Sequence, residues 1–242
     1  MVYCIHVLIY SKLQKRWGEK EDLMMKKLFV TVLFCIFPLS SIAQLSDVPD
    51  APKVGAKYII YLHGVGVERL GIDRAEEDYR GILKALQGRG FTVISEVRSY
   101  ETKPNEYGKK VAGQVKALRT KGVPPENITV VGFSKGALIT LMAAAAGDNP
   151  KVHYVVLAGC NKKGKGDYDA YANNVAPKMK GHILSMYDAA DSNFGTCQDF
   201  FAAAGDKVTG KEIKFKTGQG HGLFRNAVDL WMGPLTDWAS GK

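Results

Sequence analysis

Ser134 sits in the run Val130–Thr140, "VVGFSKGALIT", with Gly132 two residues before it and Gly136 two residues after. β-Branched and aromatic residues lead into it and helix formers follow. A serine on such a strand-to-helix turn is exposed at a tight bend, because glycines on either side let strand and helix approach while the hydroxyl stands clear. That arrangement suits a nucleophile. With 26 Gly in the chain, however, a G-x-S-x-G can arise by chance, so the motif needs a base and an acid elsewhere. Serine is a poor nucleophile at neutral pH, and an imidazole within hydrogen-bond reach is the best-matched base. His221, among Gly218, Gly220 and Gly222 in "GQGHGLF", is the expected one. The base must be held in one tautomer by a carboxylate on its other nitrogen. Asp188 and Asp191 in "YDAADSN" both qualify.

The elements that must position these residues begin after a leader. Residues 24–44, "MMKKLFVTVLFCIFPLSSIAQ", carry a basic start at Lys26 and Lys27, an apolar run from Leu28 to Phe37, and Ser41 and Ala43 where a signal peptidase reads small residues. The apolar run is half the length of a membrane span. Residues 1–43 are therefore expected to be an upstream extension plus a secretory signal peptide, cut after Ala43 and leaving no stable membrane anchor, with the product periplasmic or secreted. Cys35 follows Phe34 rather than a small residue, which argues against a lipoprotein. The basic segment starts only at Met24 or Met25, so translation is expected to begin there, with the codons of "GEKED" read as a ribosome-binding site.

The 242-residue chain is 46% hydrophobic and 24% charged, ordinary globular composition for one domain, here residues 44–242. Its formal charge of +9 falls to about +6 once six Lys/Arg and three Asp/Glu leave with the leader. The basic cluster "NKKGKGD" (Lys162, Lys163, Lys165) has no interleaved aromatics, so nucleic acid is not an expected partner; it reads as a solvated loop, with a rim that attracts an anionic substrate as the alternative. Cys160 and Cys197 remain in the mature chain, and in an oxidising compartment such a pair is expected to be bridged. No spacing of His, Cys and carboxylates suggests a metal, and no cofactor is expected.

Short β-rich runs alternate with helix-period stretches. Strands are expected at 57–63, 91–98, 127–133, 152–159, 181–187 and 212–217. Helices are expected from Asp73, with Glu76 and Glu77 in the first turn, from Pro104 to about Thr120, behind Ser134, and from about Leu223 to Ala239. The stretch 160–180 is the one long irregular segment, a candidate for a minimal cap. Near-continuous apolar strands joined by helices predict an α/β fold with a mainly parallel six-stranded sheet covered on both faces. Ligands in such sheets sit at the carboxyl ends of the strands. His63, Ser134, Asp188, Asp191 and His221 all fall there, whereas His153 and His182 fall at strand starts.

From about Lys57 to Trp238 the sequence resembles a small, exported bacterial-type serine hydrolase of the α/β-hydrolase superfamily. The resemblance rests on "HG" after the first strand, "GFSKG" after the third, "DAAD" after the fifth, the His221 loop before the last helix, and the chain order Ser, Asp, His. It implies a spatial strand order 2-1-3-4-5-6, without the usual antiparallel pair at the amino-terminal edge. It favours Asp191 over Asp188 as the acid. It also implies an oxyanion site formed by the backbone N–H of Lys135 and of Val65, with His63 bracing that loop. Cys160 and Cys197 follow neighbouring strands in this order, so a bridge would tie the 160–180 segment to the acid-bearing loop. Arg98 and Glu68 are expected in surface ion pairs, with contact to a substrate as the alternative, and the Lys135 side chain in solvent, with a positive cap over the site as the alternative.

The function expected is a serine hydrolase, carboxylesterase-like, cleaving a small-molecule ester or thioester through an acyl-enzyme. The alternatives are a non-catalytic binding protein of the same fold and a small serine peptidase. The physiological substrate and the oligomeric state are left open by the sequence.

Overall fold

A computed structural model describes residues 45–242; the expected leader and cleavage point lie outside the described residues. Strands β1 (Tyr58–Leu62), β2 (Thr92–Ile94), β3 (Ile128–Phe133), β4 (His153–Leu157), β5 (Gly181–Asp188) and β6 (Val208–Phe215) form one sheet in the order β2-β1-β3-β4-β5-β6. All neighbouring pairs are parallel, the order the resemblance implies. Every residue of β1, β3 and β4 is buried, because helices cover both faces.

Strand pleating sends alternate side chains to opposite layers. Tyr58, Ile60 and Leu62 of β1 join a core with Val111, Val115 and Leu118 of α3 (Pro104–Thr120) and Ile139 and Leu141 of α4 (Lys135–Ala146). Ile59 and Tyr61 join the other, with Ile82, Leu83 and Leu86 of α2 (Tyr79–Gly88) and Trp231, Met232 and Leu235 of α7 (Asp229–Ala239). Three shorter helices, α1 (Val65–Leu70), α5 (Tyr168–Asn174) and α6 (Gln198–Ala204), follow β1, β4 and β5. Helix α4 follows β3 directly, and its "GALITLMAAA" sequence is apolar on nearly every side, which suits a helix buried against the sheet.

Several boundaries differ from expectation for identifiable reasons. Helix α2 begins at Tyr79, not near Asp73: Asp78 caps it by accepting from the Gly81 amide at 2.9 Å, and Asp73 instead pairs with Arg80. Strand β2 is short, and the lead-in supplies its outer partner: Ser95 N donates to Leu45 O at 2.8 Å in a one-residue parallel bridge. The segment 160–180 contains α5 and a 3-10 turn, Ala176–Lys178. Helix α7 starts at Asp229 rather than 223, after a separate 3-10 turn, Gly220–Phe224. The carbonyls of Arg225 and Asn226 between them accept instead from Asp78 N at 2.8 Å and from the Trp231 indole at 3.0 Å. Strand β6 starts earlier than expected and pairs with β5 along its whole length, forming the outer edge with Thr209, Lys211 and Lys214 exposed.

His153 and His182 lie opposite each other at the starts of β4 and β5, with ring centroids 5.3 Å apart. Burial, and then the neighbouring His182, lower the His153 pKa to about 4. Between pH ~6.5 and that value the unfolded chain takes up a proton that the folded chain refuses, so stability present above the window is lost as pH falls through it. The slope is up to about 1.4 kcal/mol per pH unit. His153→Leu is expected to flatten the fall of the thermal unfolding midpoint between pH 6.5 and 4; an unchanged slope in scans across that range would refute the assignment.

Candidate active site

The turn after β3 is shaped by close contacts. Ser134 adopts φ 55° and ψ −118°, a sparsely populated conformation for a residue with a side chain. Its amide donates to Leu157 O at 3.0 Å, extending the β3–β4 ladder, and its carbonyl accepts from the amides of Ala137 and Leu138. A Cβ on Gly136 would stand 1.9 Å from Leu62 O and 2.7 Å from His63 O, and one on Gly132 would stand 2.2 Å from Gly136 O. Only glycines permit this approach of β3, α4 and the end of β1.

The Ser134 hydroxyl meets His221. Their Nε2 and Oγ atoms are 2.9 Å apart, and His221 Nδ1 lies 2.7 Å from Asp191 Oδ2. Nδ1–H donates to the carboxylate, which leaves Nε2 to accept from the hydroxyl. Phe194 stacks on the imidazole with centroids 5.0 Å apart, and Phe133 lies tilted at 4.9 Å, so the ring is held between two aromatic side chains. Burial raises the Asp191 pKa, but the His221 ring and the amides of Asn193 (2.9 Å) and Phe194 (3.1 Å) outweigh it and leave the carboxyl below its usual value.

Asp188 does not contact the imidazole. Its oxygens accept from Thr217 Oγ1 at 2.6 Å, Thr217 N at 2.8 Å, Ala190 N at 2.8 Å and Gly220 N at 3.3 Å. Burial raises its pKa as well, and these donors reverse the shift. Asp188 thus fastens the His221 loop to the end of β5.

Val65 and Lys135 open α1 and α4, so neither N–H has an acceptor within its own helix. The loop leading to Val65 is pinned by Glu77, which accepts from Gly64 N and from the Tyr61 hydroxyl, each at 2.7 Å. Burial raises the Glu77 pKa against the pull of those donors. His63 accepts the Arg98 amide on Nε2 at 3.0 Å and donates from Nδ1 to Gly64 O at 2.9 Å. Burial, reinforced by Arg98, lowers its pKa to about 3, so it is neutral. Arg98 Nε donates to Glu68 Oε1 at 2.8 Å, and Lys135 Nζ donates to Glu68 Oε2. The expected surface positions of Arg98, Glu68 and Lys135 are corrected here: the Arg98 and Glu68 side chains are 0% exposed and that of Lys135 17%.

Cys160 and Cys197 form a disulfide with Cα atoms 5.3 Å apart. Beside it Gly195 N donates to Cys160 O at 2.9 Å, Lys162 N donates to Asn193 O at 2.8 Å, and Lys162 Nζ donates to Asp191 O. The loops after β4 and β5 are thereby laced together beneath Asp191 and Phe194. Lys163 and Lys165 are exposed as expected, but Lys162 is part of this lacing. Among the described residues no group of His, Cys, Asp or Glu could hold a metal ion, and no helix is long and apolar enough to cross a membrane.

The structure thus brings Ser134, His221 and Asp191 together and holds Asp188 aside. Glu77, Phe133 and Phe194 were not among the expected site residues, and Arg98 and Glu68 were expected in ion pairs at the surface rather than buried beside the site. The one signal for any of them is that Arg98 and Glu68 follow the ends of β2 and β1, where such sheets bind ligands.

The chain has the α/β-hydrolase fold, and structures of that fold are its neighbours. Arabidopsis thaliana SOBER1 superposes with a TM-score of 0.52 at 14% identity, over 77% of this chain and 98% of that one. Porphyromonas gingivalis dipeptidyl peptidase 4 gives a TM-score of 0.53 at 14% identity, over 83% of this chain and 31% of that one. A bifunctional GH43-CE protein of Bacteroides eggerthii gives 0.50 at 16% identity, over 80% and 35% respectively. No family model and no curated protein matches the sequence.

The disulfide closes a loop of 37 residues, for which chain entropy alone suggests about 4 kcal/mol of stabilisation. Replacing both Cys160 and Cys197 by Ala is expected to lower unfolding free energy by roughly that amount in urea titrations. A loss under about 1 kcal/mol would mean that the loops are held without the bridge.

Proposed function

We propose that the protein is an exported serine hydrolase that cleaves an ester or thioester of a small molecule through an acyl-enzyme. The observation that carries this reading is the continuous hydrogen-bonded relay from Ser134 Oγ through His221 to Asp191, at 2.9 and 2.7 Å. Ser134 Oγ attacks the acyl carbonyl while its proton passes to His221 Nε2, and Asp191 stabilises the imidazolium through Nδ1–H. The oxyanion is received by the amides of Lys135 and Val65, a contribution of about 3 kcal/mol per donor. Collapse expels the alcohol or thiol, which takes the proton from Nε2. Water then attacks the acyl-serine with His221 as its base, releasing the acid and restoring the serine. Export is supported by the leader-like residues 24–44 and by the disulfide.

A fluorophosphonate probe is expected to label the protein at Ser134, with labelling lost in Ser134→Ala. A folded protein that neither reacts with the probe nor turns over short p-nitrophenyl esters would instead be a binding module of this fold, and faster turnover of peptide anilides would make it a peptidase. Asp191→Asn is expected to reduce kcat by about 10⁴-fold, because it permits the wrong imidazole tautomer. Asp188→Asn touches loop anchoring alone and is expected to cost on the order of tenfold, with a lowered unfolding midpoint. Steady-state kinetics giving the reverse ranking would exchange the two roles.

A further inference from the structure

The two amides assigned to the oxyanion belong to separate helices, and their spacing must be held by something other than the main chain. Glu68 lies three residues beyond Val65, one turn along α1, so it shares a face with the first residue of its helix. One of its oxygens accepts from Lys135 Nζ, on the residue that opens α4. The other accepts from Arg98 Nε at 2.8 Å, and Arg98 Nη2 donates to the carbonyl of His63, which precedes the Gly64–Val65 turn. Glu68 is therefore the junction of a closed circuit: α1 to α4 through Lys135, and α1 back to the start of its own loop through Arg98 and His63.

The charges are costly where they stand. Two fully buried side chains and a third nearly so must surrender hydration, and a buried ionic group of this kind generally contributes little net stability compared with well-packed apolar residues. What it does provide is directional, short links that tolerate little change in distance. Resting on the hydrolase reading above, we infer that Glu68 is a positioning residue that sets the separation of the Val65 and Lys135 amides. It acts without touching substrate.

The sign of one substitution separates this role from a purely electrostatic one. The circuit holds two cations and one anion. Glu68→Gln removes the anion and keeps both cations, so a field effect alone would hold or raise kcat, whereas loss of positioning lowers it. Lys135→Met removes the link between the helices but spares the Glu68–Arg98 pair, and an unchanged kcat in it overturns the inference even where Glu68→Gln does not fold. Lys135→Arg keeps a donor that can reach Glu68.

The measurement is steady-state hydrolysis of p-nitrophenyl acetate by the mature chain, after wild-type labelling at Ser134 has been mapped. Glu68→Gln and Lys135→Met are each expected to lower kcat by about 10- to 100-fold with KM within about twofold, and Lys135→Arg to recover most of the loss. An unchanged kcat in Lys135→Met, a rise in Glu68→Gln, or an effect confined to KM overturns the inference while leaving the hydrolase reading intact. A wild type that neither labels at Ser134 nor turns over esters removes that reading and this inference with it.

Discussion

The start of α4 lies so near the end of β1 that a single added carbon at Gly136 would stand 1.9 Å from the Leu62 carbonyl oxygen, far inside van der Waals contact. This clearance sets the rest of the site. It lets Ser134 take a left-handed conformation at the strand end, and it brings the first turn of α4 beside the His63–Val65 loop. Only then can an imidazole from a loop 87 residues further along the chain reach the hydroxyl. Removing the clearance would force strand and helix apart and carry the Lys135 amide away from Val65.

Around that contact the protein arranges supports of three chemical kinds. Asp188 supplies a carboxylate that gathers backbone and hydroxyl donors of the His221 loop, including Thr217 and Gly220. The disulfide with its flanking main-chain bonds braces the loop bearing Asp191 and Phe194. Glu77 and the Arg98–Glu68–Lys135 circuit hold the amino-terminal side. The two neighbouring carboxylates of "DAAD" thus have distinct duties, one toward the ring and one toward the chain that carries it.

Much of this was legible in the sequence because it follows from local pattern. Strand positions, the glycines around Ser134 and the chain order of Ser134, Asp191 and His221 are properties of short segments and their succession. The residues that were missed or misplaced are those whose roles depend on distant partners. Glu77 has the composition of a first-turn helix acid, yet its carboxylate is drawn to Gly64 and Tyr61, 13 and 16 residues away, and α2 starts after it. Glu68 and Arg98 read as surface ion-pairing residues, but they are separated by 30 residues and no periodicity shows that they pair with each other in the interior. Helix α7 starts late for the same reason: the carbonyls that would extend it backwards are already engaged by Asp78 and Trp231.

The two outer strands of the sheet are finished differently. β2 has the Leu45 segment bridged alongside it, whereas among the described residues β6 is the last strand of the ladder, with Lys211 and Lys214 exposed along it. Two molecules meeting rim to rim along β6 would have to bring like ammonium groups together and strip them of hydration before any new backbone bond could form. Exposed lysines on an outer strand thus set a local cost against edge-to-edge pairing.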